Sequence, residues 1–172
     1  VVAYLRTGPI SDIESGRAVV VGHKADGSVI ARYLEGKRRM PLTQWEFASH
    51  DAQRYGTTLL QAFIPGRRFP FPKSLYAVED VLRIAVGHKP DAVVLDFFGG
   101  SGTTAHAVAR LNRQDNGHRQ CLLVTNNEVS EAEATTLNKR GLRPGDPEWE
   151  ELGIFEQVTR PRMTAAVTGA TP

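Results

Sequence analysis

The stretch that most constrains the fold is an apolar run that ends in a carboxylate and leads into a cluster of glycines. Residues 92–95 are apolar, Asp96 follows them, and Gly99, Gly100 and Gly102 come shortly afterwards. Because the segment beyond the glycines is compatible with a helix, this order predicts a strand, a tight turn and a helix. A continuous apolar run is typical of a parallel strand that is buried on both faces.

This order of elements predicts a binding site for a small molecule. Glycines let the backbone turn sharply and let a ligand approach it closely. A helix N-terminus presents unpaired N–H groups and a positive dipole end, which favour an anionic group such as a carboxylate. In open α/β sheets, ligands lie at the carboxyl ends of the strands, where this turn falls.

The glycine spacing by itself leaves the class of ligand open. Gly100-x-Gly102-x-x-Ala105 matches the loose dinucleotide pattern, which would indicate an NAD-dependent Rossmann oxidoreductase. Against that interpretation, a pyrophosphate-binding loop has no need of the adjacent Thr103-Thr104 pair. A binding screen against both cofactor classes would distinguish them.

Two longer strings narrow the class of ligand. The first, Asp96-Phe97-Phe98-Gly99-Gly100-Ser101-Gly102-Thr103-Thr104, resembles the S-adenosyl-L-methionine (AdoMet) site of DNA methyltransferases that methylate amino groups. The second, Phe71-Pro72-Lys73-Ser74-Leu75, resembles the motif that precedes the glycine loop in the β-group of these enzymes. The resemblance implies that this earlier segment folds against the loop and contacts the methionine part of AdoMet. The alternative interpretation of Lys73 and Ser74 is a solvated lysine beside a helix N-cap.

A second carboxylate is expected at the same edge of the sheet. Residues 120–125 form another apolar run, predicted as a strand, and Glu128 follows it. A carboxylate in that place can accept both ribose hydroxyls of an adenosyl ligand. Its alternative role is N-cap or first-turn chemistry for the helix predicted over residues 131–140. The predicted cofactor-binding residues are Phe71, Lys73, Ser74, Leu75, Asp96, Phe97, Phe98, Gly99, Gly100, Ser101, Gly102, Thr103, Thr104 and Glu128.

Further matches extend the resemblance to nearly the whole chain. Together with the two motifs, Trp45, residues 55–57, residues 126–128 and residues 153–169 resemble the C-terminal part of type III restriction-modification methylation subunits. Those subunits are AdoMet-dependent N6-adenine DNA methyltransferases. The resemblance implies AdoMet as the cofactor and DNA as the substrate. It also implies a homodimer of methylation subunits and a restriction subunit as protein partners.

One feature of that family is missing from the sequence. The family holds the target amine with an Asp-Pro-Pro-Tyr loop, and no Pro-Pro pair occurs here. Asp146-Pro147-Glu148-Trp149 resembles it superficially, but it follows the AdoMet motif and predicts a turn and a helix start. We therefore expect the catalytic loop to precede Val1, assign no catalytic residue, and expect this chain alone to be inactive.

The predicted fold class is α/β: a partial Rossmann-like AdoMet-dependent methyltransferase sheet with an N-terminal β-rich extension. Residues 1–50 are predicted as that extension, the tail of a DNA-recognition region, with a hairpin that turns at Asp26-Gly27. Residues 51–172 are predicted as the AdoMet-binding domain without its catalytic-loop half. Two other functions stay open: an N4-cytosine DNA methyltransferase, and a non-catalytic DNA-binding or assembly module.

Composition bears on the compartment and the partners. Basic residues cluster at residues 37–39, 67–68, 139–143 and 160–162, and such short runs are usually solvated unless they contact phosphates.

Cys121 is the only cysteine, so no internal disulfide forms, and it is predicted as a buried strand residue. The histidines lack metal-ligand spacing, which predicts no metal site. No run approaches the roughly 20 apolar residues of a membrane span, and we expect a cytoplasmic protein without membrane contact.

Overall fold

The computed structural model describes residues 2–5, 10–35, 43–66 and 69–169. The chain divides into two compact units, Val1–Trp45 and Glu46–Pro172, and the functional assignment of the two predicted domains stays a prediction. The basic clusters at residues 37–39 and 67–68 lie outside the described residues. Within the described ranges, no helix has the length and apolar character needed to cross a membrane.

The first unit is a three-stranded antiparallel sheet with one short helix. Its elements are β1 (Val2–Leu5), α1 (Ile10–Glu14), β2 (Ala18–His23) and β3 (Val29–Tyr33), and the strand order is β1-β3-β2. The predicted hairpin of β2 and β3 is confirmed. Its turn forms because Gly27 adopts a φ of +79° and the Asp26 carboxylate accepts the Ser28 N–H at 2.9 Å. The sequence pattern does not predict β1 or α1.

The second unit begins with helical segments. They are a 3₁₀ turn (Ala48–His50), a π-helical segment (Gln53–Thr58), α2 (Leu59–Phe63) and α3 (Leu75–Val86). The sequence predicts a short helix over residues 56–63, stopped by Pro65-Gly66, and a helix over residues 75–86 from its apolar spacing; both segments are helical in the structure. A Cβ atom at Gly56 would lie 2.3 Å from the Pro72 carbonyl oxygen. Glycine therefore allows the π-helical segment to touch the backbone that leads into α3.

A parallel strand–helix–strand unit follows, as predicted. Its elements are β4 (Val93–Asp96), α4 (Thr103–Asp115) and β5 (Gln120–Leu123), and β4 pairs with β5 in parallel. Side chains of α3 and α4 form the core against these strands, namely Leu75, Leu82, Ala107, Val108 and Leu111, with Val94 and Cys121 packed on them. The chain is thus a mixed α/β protein in which α4 connects two parallel strands.

The prediction that β4 is buried on both faces is wrong for this chain. Val93 and Leu95 are 60% and 52% exposed, and Leu122 on β5 is 53% exposed. The reason is that α3 and α4 cover the face that carries Val94 and Cys121, while the described strands carry nothing on the other face. Cys121 is accordingly half-buried rather than buried, and partial burial raises the pKa of its thiol.

The C-terminal part is helical. Its elements are α5 (Glu131–Lys139), α6 (Pro147–Glu150), a second π-helical segment (Phe155–Thr159) and α7 (Arg160–Thr168). The predicted helix start at Asp146-Pro147 is confirmed, with proline in the first turn of α6. Helix α7 packs against α4, which brings the end of the chain beneath the glycine turn.

Candidate functional site

Asp96 holds the turn between β4 and α4 together. One carboxylate oxygen accepts the Phe98 N–H at 3.0 Å, and the other accepts the Thr104 hydroxyl at 2.6 Å. The carboxylate thereby links the start of the turn to the first turn of α4. These two bonds supply the partners that a half-buried carboxylate at the end of a strand requires.

Two glycines of the turn adopt backbone conformations that other residues rarely tolerate. Gly100 has a φ of +48° and Gly102 a φ of +75°, both in the left-handed region. The Gly102 N–H donates to the Gly99 carbonyl at 2.7 Å, and the Gly99 N–H donates to the Val124 carbonyl at 3.0 Å. The turn is therefore tight and tied to the strand end beside it.

Because of the turn, the N-terminus of α4 lies at the carboxyl end of β4. Helix α4 starts at Thr103. The His106 N–H donates to the Gly102 carbonyl at 3.1 Å, which is the first hydrogen bond of the helix. The N–H groups of the preceding residues have no intrahelical acceptor, and the positive end of the helix dipole lies with them. This edge can bind an anionic or polar group through backbone donors.

Phe69, two residues before the predicted Phe71–Leu75 segment, lies against the turn. A Cβ atom on Gly100 would sit 3.0 Å from the Phe69 ring. The Phe71 ring beyond it is 92% exposed on a backbone with a φ of +52°, and Phe98 on the turn is 93% exposed. Two aromatic rings, Phe98 on the turn and Phe71 two residues after Phe69, are therefore exposed. Exposed aromatic rings with a strained backbone are typical of ligand-binding segments.

The side chains around Ser74 have structural partners. Ser74 caps α3 by accepting the Ala77 N–H at 3.4 Å, and it donates to the Ser49 carbonyl at 2.8 Å. Leu75 is buried in the core, while Lys73 is exposed. The N-cap interpretation of Ser74 is thus seen in the structure, and contact of this segment with a cofactor stays a prediction.

Glu128 is exposed at the end of the segment that follows β5. Its carboxylate accepts the Asn126 side-chain amide at 3.3 Å, and its carbonyl accepts the Ile154 N–H at 2.8 Å. The N-cap of α5 is Ser130, whose hydroxyl accepts the Glu133 N–H at 3.3 Å. Since Ser130 fills that role, capping does not account for Glu128.

The end of the chain supports the turn from below, and sequence reasoning did not identify this contact. The Thr159 hydroxyl donates to the Gly100 carbonyl. The Arg162 guanidinium donates to the Ser101 carbonyl at 3.2 Å, the Ser101 hydroxyl at 3.1 Å and the Thr103 hydroxyl at 2.9 Å. The Ser101 and Thr103 hydroxyls therefore face Arg162.

The expectation that the basic residues at 160–162 are solvated is wrong for Arg162, which is fully buried. Arg160 alone is exposed, and it pairs with Glu156. The difference arises because α7 turns one face toward α4 and the other toward water. The run of basic residues in the sequence does not indicate which of the two arginines is buried.

His106 on α4 is the other buried polar neighbour of Arg162. Its Nδ1 atom lies 3.4 Å from the Arg162 Nε atom, and its ring meets the Phe63 ring edge to face at 5.0 Å. Burial, followed by the charge of Arg162, lowers the pKa of His106 to about 4. The imidazole is therefore neutral at physiological pH and can accept a hydrogen bond from Arg162.

No group of three or more His, Cys, Asp or Glu side chains in the described ranges is arranged to hold a metal ion.

The sequence profile of a DNA methylase family matches residues 19–134. Three characterised proteins are similar to parts of the chain. The Mod subunit of the type III restriction-modification enzyme EcoPI from Escherichia phage P1 is 44% identical over 73 residues, which cover 42% of this chain and 11% of the relative. The StyLTI Mod subunit of Salmonella typhimurium is 47% identical over 96 residues, covering 56% and 13%.

The third relative is the type II methyltransferase M.KpnI of Klebsiella pneumoniae, with 35% identity over 99 residues that cover 57% of this chain and 23% of the relative. The chain therefore spans less than a quarter of the length of each of these proteins.

Proposed function

Because the chain belongs to this DNA methylase family, we propose that it is the AdoMet-binding part of a DNA methyltransferase. The methyl acceptor is the N6 amine of adenine, and the system is a type III restriction-modification system. The Mod subunits among its relatives support that choice. The relatives are much longer, so the activity belongs to the whole protein that carries this chain.

The observation that carries the proposal is the glycine turn at the carboxyl edge of β4. It combines left-handed Gly100 and Gly102, the N-terminus of α4, and the Phe69 ring packed on Gly100. Hydrogen-bond donors of the turn and the acceptor of Glu128 match the polar groups of AdoMet. Backbone N–H groups at a helix start match a carboxylate, and the exposed Glu128 carboxylate matches a pair of ribose hydroxyls.

The predicted site residues divide by role in this proposal. Backbone atoms of residues 99–104 contact the methionine part of the cofactor, and the exposed side chains of Phe71, Lys73, Phe97, Phe98 and Glu128 contact the rest. Asp96, Ser74 and Leu75 shape the site through the hydrogen bonds and core contacts that they already make.

These roles determine what the chain contributes to methyl transfer. When bound, AdoMet supplies a methyl group on a positively charged sulfur, and the acceptor is the exocyclic amine of an adenine flipped out of the duplex. The residues of this chain bind and orient the cofactor, which contributes by positioning rather than by covalent catalysis. The groups that hold the amine come from another part of the whole protein.

The strands β4 and β5 with α4 between them are, in this proposal, one portion of a Rossmann-like sheet. The apolar side chains of Val93, Leu95 and Leu122 on the uncovered face support a larger sheet in the whole protein. The antiparallel first unit is the tail of a DNA-recognition region. A second methylation subunit and a restriction subunit are the protein partners, and the protein works in the cytoplasm with its DNA.

A methyl-transfer assay tests the proposal. The full-length protein encoded by the gene and the 172-residue chain are each incubated with isotopically labelled AdoMet and duplex DNA of mixed sequence. Digestion of the DNA and mass spectrometry identify the methylated base. We expect N6-methyladenine from the full-length protein and no label from the shorter chain.

Three results would contradict this expectation in different ways. N4-methylcytosine would show that the acceptor is cytosine. Turnover by the 172-residue chain would place a catalytic loop within it, with Asp146-Pro147-Glu148-Trp149 as the first segment to examine. A full-length protein that binds AdoMet but methylates no DNA would favour a non-catalytic binding module.

A further inference from the structure

The guanidinium of Arg162 is enclosed directly beneath the glycine turn. Its side chain is fully buried, and all the acceptors that it contacts are neutral: the Ser101 carbonyl and hydroxyl, the Thr103 hydroxyl and the His106 imidazole. Its Nη2 atom is buried and has no hydrogen-bond partner among the described residues. The side chain thus supplies more donors than its surroundings use.

The charge of Arg162 is also unbalanced. Across the described parts of the chain, no Asp or Glu forms an ion pair with it. Burial lowers the pKa of Arg162 to about 10, which still leaves the side chain charged at neutral pH. Buried charges are normally paired, because removal of an ion from water is costly. A counter-charge is therefore missing from this region.

We infer that Arg162 is a positioning residue whose buried charge selects a ligand with a carboxylate at the glycine turn. The inference rests on the proposed function and deepens it, since AdoMet and its demethylated product S-adenosylhomocysteine both carry such a group. Arg162 is enclosed and cannot touch the ligand, so it acts through space. Its charge adds to the positive end of the α4 dipole on the far side of Ser101 and Thr103.

A purely structural role would not need the charge. A neutral amide has two N–H donors and can donate to two of these acceptors, such as the Ser101 carbonyl and the Thr103 hydroxyl, without any charge. A charge inside the protein, in contrast, interacts strongly with a charge that arrives at a site with a low effective dielectric constant. The preference for a charged over an uncharged ligand of the same shape therefore separates the two roles.

The experiment compares S-adenosylhomocysteine with its carboxamide, which has the same shape without the negative charge. Calorimetric titration of the 172-residue chain gives the affinity ratio of the acid to the amide for the wild type, Arg162→Lys, Arg162→Gln and the control Arg160→Gln. Arg160 lies on the same helix, but it is exposed and paired with Glu156. Circular dichroism melting verifies that each variant is folded.

We expect the wild type to prefer the acid, and Arg162→Gln to reduce that preference about tenfold, which corresponds to about 1.4 kcal/mol of lost charge interaction. Arg162→Lys retains most of the preference because it retains the charge, and Arg160→Gln leaves it unchanged. The affinity for the amide changes little in any folded variant.

Several results would overturn the inference. Equal affinity of the wild type for the acid and the amide would overturn it, and this result does not depend on whether Arg162→Gln folds. A folded Arg162→Gln variant with the wild-type affinity ratio would also overturn it. So would a loss of preference in Arg162→Lys as large as the loss in Arg162→Gln. If the wild type binds neither ligand, the proposed function fails first.

Discussion

Replacement of Gly100 by alanine perturbs the candidate site most selectively. The residue has a φ of +48°, and an added Cβ would lie 3.0 Å from the Phe69 ring. The left-handed backbone costs an L-residue about 1–2 kcal/mol. Carbon atoms prefer separations of about 3.5–4.0 Å, so Phe69 must retreat by about half an ångström, which shifts the wall that faces the cofactor.

The expected result is a modest loss of stability and a large loss of binding. A penalty of about 1–2 kcal/mol lowers the melting temperature of a domain of this size by about 2–8 °C. Affinity for S-adenosylhomocysteine should fall by about tenfold or more, because the added methyl group and the displaced ring both occupy the approach to the turn. Thermal melting and calorimetric titration measure the two effects.

Gly141→Ala is the matched control. Gly141 also has a positive φ, +84°, but no atom lies within 4 Å of an added Cβ. It should lose a similar amount of stability and keep its affinity for the cofactor. A folded Gly100→Ala variant that bound S-adenosylhomocysteine as tightly as Gly141→Ala would show that Gly100 does not lie at the cofactor site.

Two further predictions concern a carboxylate and a histidine near the site. Glu128→Gln should weaken S-adenosylhomocysteine binding by about 1–3 kcal/mol, the value of hydrogen bonds to a charged group, whereas Glu131→Gln should not; equal affinities in a titration would remove Glu128 from the site. His106 has a pKa of about 4 in the folded chain against 6.5 in a free histidine. Its contribution to stability is therefore complete above pH 6.5 and is lost as the pH falls toward 4, at up to about 1.4 kcal/mol per pH unit. Denaturant unfolding across that range should show a smaller slope for His106→Gln, and an identical slope would exclude His106 as its source.

The sequence predicted those parts of the fold that depend on local backbone chemistry. The turn between β4 and α4 was predictable because its two left-handed positions favour glycine, and Gly100 and Gly102 occupy them. The hairpin at Asp26-Gly27 and the helix start at Asp146-Pro147 were predictable for the same kind of reason. In each case a few adjacent residues determine the conformation.

The sequence could not predict features that arise from distant packing. Arg162 belongs to a short run of basic residues, a pattern that predicts exposure to water. It is buried because α7 packs against α4. The apolar residues of β4 do not show by themselves that one face lacks a cover within this chain. The role of Asp96 was only partly predictable, since its place in the site motif was evident but its bond to the Thr104 hydroxyl was not.

A cofactor titration tests whether the turn between β4 and α4 is an AdoMet site. The 172-residue chain is titrated with AdoMet, S-adenosylhomocysteine and NAD at matched concentrations. We expect weak binding of AdoMet and of S-adenosylhomocysteine, and weaker or no binding of NAD. Binding of NAD without binding of AdoMet would contradict the claim and would make the turn a dinucleotide loop.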